Sequence, residues 1–179
     1  MPVDDVFLKE LRISCIRNAK DLLVEASLLF QQKKYSRSAF LAITSYEESL
    51  KAGLVSSYRY EHLSKTQFKK IWRNHDLKML TKYAHVAVYE HLKTGRIIQR
   101  LKFPEHKDKV TKIIQERMNS LYVDIKKDEI LEPKIIRNQQ AQKYIRVAKR
   151  NIDWEEMFQS IEKELEDENN REKEMAGIK

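Results

Sequence analysis

The sequence predicts an all-α protein, an antiparallel bundle of four core helices with additional C-terminal helices. Apolar residues recur at three- and four-residue steps along most of the chain. Only three glycines and three prolines punctuate 179 residues, a length that fits one domain around one hydrophobic core. The expected division is a single helical-bundle domain over residues 1–168 and a charged, frayed tail over 169–179.

Leu8, Leu11, Cys15, Ala19, Leu22, Ala26 and Leu29 mark one face of a first helix over about residues 4–32. The polar run Gln31 to Lys34 then leads into Tyr35, Ala39, Ala42, Ile43, Tyr46, Leu50 and Leu54, the stripe of a second helix. So short a connection makes the two antiparallel neighbours. Ser64 has the chemistry of an N-cap for a third helix, whose stripe reads Phe68, Ile71, Trp72, Met79, Tyr83 and Val86 before Gly95 stops it. After Pro104, the positions Val110, Ile113, Ile114, Leu121 and Ile125 predict a fourth helix over 105–125. Ala141, Tyr144, Ile145, Ala148 and Ile152 begin a C-terminal helix. Asp153 followed by Glu156 resembles a capping signal, so a break and a further helix are expected there.

Charge is unevenly spread. Of a net charge of +8, the segment 51–112 carries fifteen Lys and Arg against five Asp and Glu, whereas 153–174 carries ten acidic residues against three basic ones. A basic region of this kind favours polyanions such as RNA, and Lys69, Lys70, Arg73 and Lys82 are its candidate contacts. A single cysteine excludes an intrachain disulfide framework and suits a reducing cytoplasm. No run approaches the ~20 apolar residues needed to span a bilayer, so no membrane association is expected. No Cys/His spacing suits zinc, and no cofactor or metal is expected. The acidic pairs Asp4-Asp5 and Glu155-Glu156 read as exposed helix-end charge.

Three polar residues lie on apolar stripes when each helix is turned at 100° per residue. His75 falls among Phe68, Trp72 and Met79, and Arg117 among Ile113, Ile114 and Leu121. Glu47 borders the second helix's stripe with Lys51 one turn on, while Glu48 points to solvent. Unpaired charges on a buried face cost several kcal/mol, so three such residues on three packing helices are expected to converge in one polar cluster. Lys78, one turn beyond His75, and Asp124, two turns beyond Arg117, extend it. Such a cluster is either an ion-pair network that fixes helix register or a functional site.

These positions sit inside ordered motifs. Arg17-Asn18-Ala19 precedes Glu47-Glu48-Ser49-Leu50-Lys51, then His75-Asp76-Leu77-Lys78, then Arg117-Met118-Asn119-Ser120-Leu121-Tyr122-Val123-Asp124. Over roughly residues 8–150 this pattern resembles the AbiV family of bacterial abortive-infection proteins, part of the wider HEPN group of helical RNA-targeting domains. The resemblance implies a HEPN-like bundle, often dimeric, that stops growth or translation in phage-infected cells. Many HEPN relatives are metal-independent ribonucleases with Arg followed four to six residues later by His. Here Arg117 is followed five positions later by Tyr122. The spacing Arg100 to His106 fits formally but is interrupted by Pro104.

Two main functions compete. In the first, RNA is cleaved by Arg117 stabilising phosphate charge, Lys51 or Lys78 assisting, His75 or Glu47 accepting a proton and Tyr122 donating one. In the second, the cluster is structural and the basic middle holds RNA, the translation machinery or a phage protein. Tyr58, Tyr60 and Trp72 then either stack on bases or anchor loops. A third reading has the acidic tail fold over the basic face. A homodimer is expected from the resemblance.

Overall fold

A computed structural model describes residues 4–74, 78, 107–119, 124–126, 129–131 and 135–175. Its elements in order are α1 (Asp5–Gln31), α2 (Tyr35–Arg59), α3 (Lys65–Trp72), α4 (Lys107–Asn119), a two-stranded antiparallel hairpin β1 (Asp124–Lys126) and β2 (Glu129–Leu131), and α5 (Asn138–Met175). Among the described residues no helix is long and apolar enough to cross a membrane.

α1 starts where Asp4 accepts a hydrogen bond from the Val6 amide, which satisfies one of the orphan donors of the first turn. It stops at Gln32, after which Lys33 turns left-handed (φ 59°), its amide donating to Phe30 and that of Lys34 to Leu29. α2 ends by the same device, with Glu61 at φ 59° and the His62 amide bonded to Ser57. The first reversal lays α2 back along α1, and the second leads from α2 into α3.

α2 is the centre of the bundle: α1, α3, α4 and α5 all pack on it. A helix enclosed on several sides needs small residues where neighbouring backbones approach, and Ala39, Ala42 and Ala52 are fully buried. Of its buried serines, Ser38, Ser45, Ser49 and Ser57 bond to carbonyls. Ser38 donates to Ala26 (2.7 Å) and Ser45 to Ala19 (2.6 Å), stitching α2 to α1. Larger side chains fill the remaining space, as Ile43, Tyr46 and Leu50 meet Ala148 with Ile113 and Ile114 alongside.

α3 opens with the expected Ser64 cap, completed by reciprocal bonds to Gln67. It buries Ile71 against Leu54 and Leu63. The expected continuous stripe is interrupted, because this helix stops at Trp72, with Arg73 as its C-cap. The rest of that stripe, from Met79 to Gly95, lies outside the described residues. The fourth helix is also shorter than expected. It ends at Asn119, and Asp124 and Ile125 belong to β1, where Ile125 pairs with Ile130. β-Branched residues favour that pleated pairing, and the helical spacing of Ile125 hid it.

The C-terminal region is one helix, not two. Its inner face runs Ala141, the half-buried Tyr144, Ala148, Asn151, Ile152, Glu155, Phe158 and Glu162, unbroken at three- and four-residue spacings once the polar members are included. Asp153 sits mid-helix and pairs with Lys149, one turn back, at 3.1 Å. Glu155 is 1% exposed, so it is a core residue rather than helix-end charge.

Burial of these acids requires partners, and α1 supplies them. Arg12, 6% exposed, bonds Glu162 and reaches both the carbonyl (3.2 Å) and the carboxylate (3.6 Å) of Glu155. Arg59 of α2 joins Asp5, Glu162 and Glu166, and the Tyr60 hydroxyl donates to Glu162. Burial opposes the Arg59 charge, yet the hydrogen bonds to Asp5 and Glu166 outweigh it and raise the pKa. Burial and the Glu162 bond push the Tyr60 phenol up. The acidic stretch is thus folded against α1 and the end of α2.

Removing Arg12 takes a buried cation from Glu155 and Glu162, of which Glu162 keeps Arg59 and Tyr60, whereas Lys20 forms a surface pair with Glu156. In urea unfolding, Arg12→Ala is expected to cost ~3–5 kcal/mol and Lys20→Ala less than ~1 kcal/mol. Equal effects would contradict this division.

Candidate functional site

Glu47 is the one acidic residue buried within α2, 2% exposed. Its Oε1 accepts from Lys78 Nζ and its Oε2 from Arg117 Nη1, both at 2.6 Å. Lys78 is 4% exposed and Arg117 9%, so a single carboxylate holds two cations away from water. In so dry a setting the charges interact far more strongly than on the surface, and each carboxylate oxygen has a cationic donor. The Glu47–Arg117 pair joins α2 to α4.

The Glu47-Glu48 pair divides by helix geometry, since successive side chains leave a helix about 100° apart. Glu48 does not point into solvent. It bonds Lys51, and both side chains are mostly covered. The Lys51 ammonium also lies 5.4 Å from the centre of the Trp72 ring. Lys51 therefore belongs to a neighbouring pair rather than to the Glu47 trio. Burial, with Glu48 adding to it, pushes the nearby Cys15 thiol up to about 12. That thiol is protonated at neutral pH and is no nucleophile.

His75, Tyr122 and Lys82 lie outside the described residues. Asp124 opens β1 opposite Leu131, not on the fourth helix as expected. Lys69 and Lys70 are exposed on α3, and Arg73 is exposed at its end. Tyr58 stacks on Phe68, with ring centres 4.7 Å apart, and Phe68 meets Trp72 at 5.4 Å. These aromatics, like Tyr60 on Glu162, anchor the turn between α2 and α3. Among the described residues no group of three or more His, Cys, Asp or Glu is arranged to hold a metal ion.

A neighbouring polar group was missed in the sequence. Glu116, 8% exposed, accepts from the Tyr144 hydroxyl and from Gln140 Nε2 (2.9 Å), which links α4 to α5. Burial, reinforced by the bond to Glu116, pushes the Tyr144 phenol up to about 12. Glu116 follows Ile113 by three residues, and that spacing was the available signal. Asn151, also buried, donates to Ser49 at 2.8 Å and fixes α5 against α2.

Glu47→Leu leaves Lys78 and Arg117 buried without their shared counter-charge, and is expected to destabilise the fold by ~3–5 kcal/mol in urea unfolding. Lys51→Met, which leaves a carboxylate closer to solvent, should cost ~1 kcal/mol or less. The reverse order would show that Lys51, not Glu47, is the buried hub.

The chain matches the family model described as AbiV over residues 7–153, a span containing α1 to α4, the hairpin and the first part of α5. No curated protein and no solved structure matches it. The matched span contains the Glu47, Lys78 and Arg117 motifs in the order that the resemblance required. The all-α bundle is the fold expected of a HEPN domain. The chain therefore belongs to the AbiV family of HEPN-like proteins, which ties it to abortive infection and phage defence.

Proposed function

We propose that this protein arrests growth of phage-infected cells by cleaving RNA without a metal, using Arg117 as the phosphate-stabilising group. The supporting observation is the grip of Glu47 on both Lys78 and Arg117 at 2.6 Å, which sets two cations in a fixed place at the α2–α4 contact. Glu47 is the positioning residue, because both of its oxygens already accept from cations. The ribose 2′-oxygen attacks phosphorus as its proton passes to His75. The bond from phosphorus to the 5′-oxygen then breaks, and Tyr122 protonates the departing oxygen. The products are a 2′,3′-cyclic phosphate and a 5′-hydroxyl. Arg117, assisted by Lys78, balances the charge that builds on the phosphoryl oxygens.

The exposed Lys69, Lys70 and Arg73 on and beside α3 serve as backbone contacts for the strand. Lys82 belongs to the same basic segment. On this reading the protein works in the cytoplasm as a homodimer, and its partners are RNA or the translation machinery, with a phage protein as trigger.

The burial of the cluster, from 2% to 9% exposed, favours a second reading. In it the trio only fixes helix register and the protein binds RNA, ribosomes or a phage protein without cleaving anything.

The two readings part in a cleavage assay on total RNA in EDTA. Wild type is expected to yield fragments ending in cyclic phosphate. His75→Ala and Arg117→Lys, each checked by thermal melting, should slow cleavage by ~100-fold or more. Intact RNA with salt-sensitive binding by wild type would overturn the ribonuclease reading in favour of the second.

A further inference from the structure

α4 packs on α2 and meets α5 through the Glu116 contacts to Tyr144 and Gln140. Between the three helices lies a groove of about 640 Å³. That is within the ~300–1,000 Å³ of ordinary small-molecule sites. Its apolar surface includes Ile43, Tyr46, Ile113 and Val147. Glu116 forms its acidic point, and the exposed Lys112, Arg137 and Lys143 add three cations to its lining.

We propose that this groove is a base-binding subsite for a guanine nucleotide of the RNA strand, with Glu116 reading the base and Lys112, Arg137 and Lys143 holding its phosphates. The inference rests on the RNA reading given above and adds a sequence preference to it.

Three features select that occupant. The groove offers apolar surface and the Tyr46 ring for the flat face of a base, and cations for the phosphate, a pairing that suits a nucleotide. Next, Glu116 is held by two neutral donors, Tyr144 and Gln140, rather than by an ion pair. A buried carboxylate of this kind is stabilised by further N–H donors from a ligand. Finally, a carboxylate only accepts. Guanine presents two adjacent donors, N1–H and the N2 amino group, on its pairing edge. Adenine and cytosine place an acceptor nitrogen beside their amino groups, which a carboxylate repels, and uracil offers a single donor between two carbonyls.

Position joins the groove to the Glu47 cluster. α2 contributes Tyr46 to the groove and Glu47 to the cluster, and α4 contributes Glu116 and Arg117 in the same way. Consecutive Cα atoms are ~3.8 Å apart, so the two sites share two walls. A base in the groove sets its phosphate beside the helix that carries Arg117.

Calorimetric titration of the full chain with GMP, UMP and inorganic phosphate tests the proposal. GMP should bind at least ~10-fold more tightly than UMP, a difference of ~1.4 kcal/mol. Glu116→Gln, which keeps the shape and one acceptor, should bring the two nucleotides to within ~2-fold of each other. Arg137→Ala with Lys143→Ala should weaken both nucleotides by a similar factor and leave their ratio unchanged. Thermal melts of the variants separate these effects from unfolding. Equal binding of GMP and UMP, or nucleotides binding no better than phosphate alone, would overturn the subsite. GMP selectivity in a protein that leaves RNA intact would instead overturn only the ribonuclease reading. RNA cleavage indifferent to base and to Glu116→Gln would remove the subsite and spare that reading.

Discussion

A carboxylate buried in the helix on which all the others pack is the constraint that organises this bundle. α2 touches α1, α3, α4 and α5, and this position forces its composition. Alanine, serine and glycine occupy the close approaches, the hydroxyls of Ser38, Ser45, Ser49 and Ser57 bond to backbone carbonyls, and larger apolar residues fill what is left. Glu47 alone brings an acidic charge into that enclosure. An ionised carboxylate in such surroundings needs cations on both oxygens, and those come from Lys78 and from Arg117 on α4. The same contact that lets α2 keep its charge thus determines where the Arg117 guanidinium lies.

The buried polar residues form separate groups with different consequences. At one end, Arg12 and Arg59 hold Glu155 and Glu162 of α5 among α1 and α2, with Lys9 and Asp5 on the outer rim. Burial tends to raise the Glu166 pKa, but hydrogen bonds from Lys9 and Arg59 prevail and lower it, and Arg59 lowers that of Asp5. Those interactions contribute at neutral pH and are lost as the pH falls through the carboxylate range. This group ties the long C-terminal helix to the start of the chain. The Glu47 group joins α2 to α4 instead, and both helices also line the groove where Glu116 lies among lysines and an arginine.

Much of this was legible in the sequence because helical periodicity is a property of burial. Ser64 marked the start of α3, and the stripes of α1 and α2 gave the antiparallel pair. Glu47 and Arg117 could be singled out because each sits on or beside an apolar stripe, and Lys78 only as an extension one turn beyond His75; the structure brings Glu47, Lys78 and Arg117 together, while His75 lies outside the described residues. The same logic failed where a stripe was itself charged. Glu155 and Glu162 lie on the core face of α5, but an acidic run reads as solvated, so one helix was divided into two. Ile125 kept helical spacing while pairing across a hairpin with Ile130. Glu116 was masked by the more conspicuous Arg117 beside it. Long-range charge pairing, such as that of Arg12 with Glu162, leaves no local trace in a single sequence.

The most direct measurement of the central claim is a double-mutant cycle between Glu47 and Arg117, read as unfolding free energy for Glu47→Gln, Arg117→Met and the pair. A shared buried ion pair predicts that the double variant is less destabilised than the sum of the singles, with a coupling of ~2 kcal/mol or more. Additive losses, within ~0.5 kcal/mol, would mean that the two side chains do not depend on each other and would contradict the account.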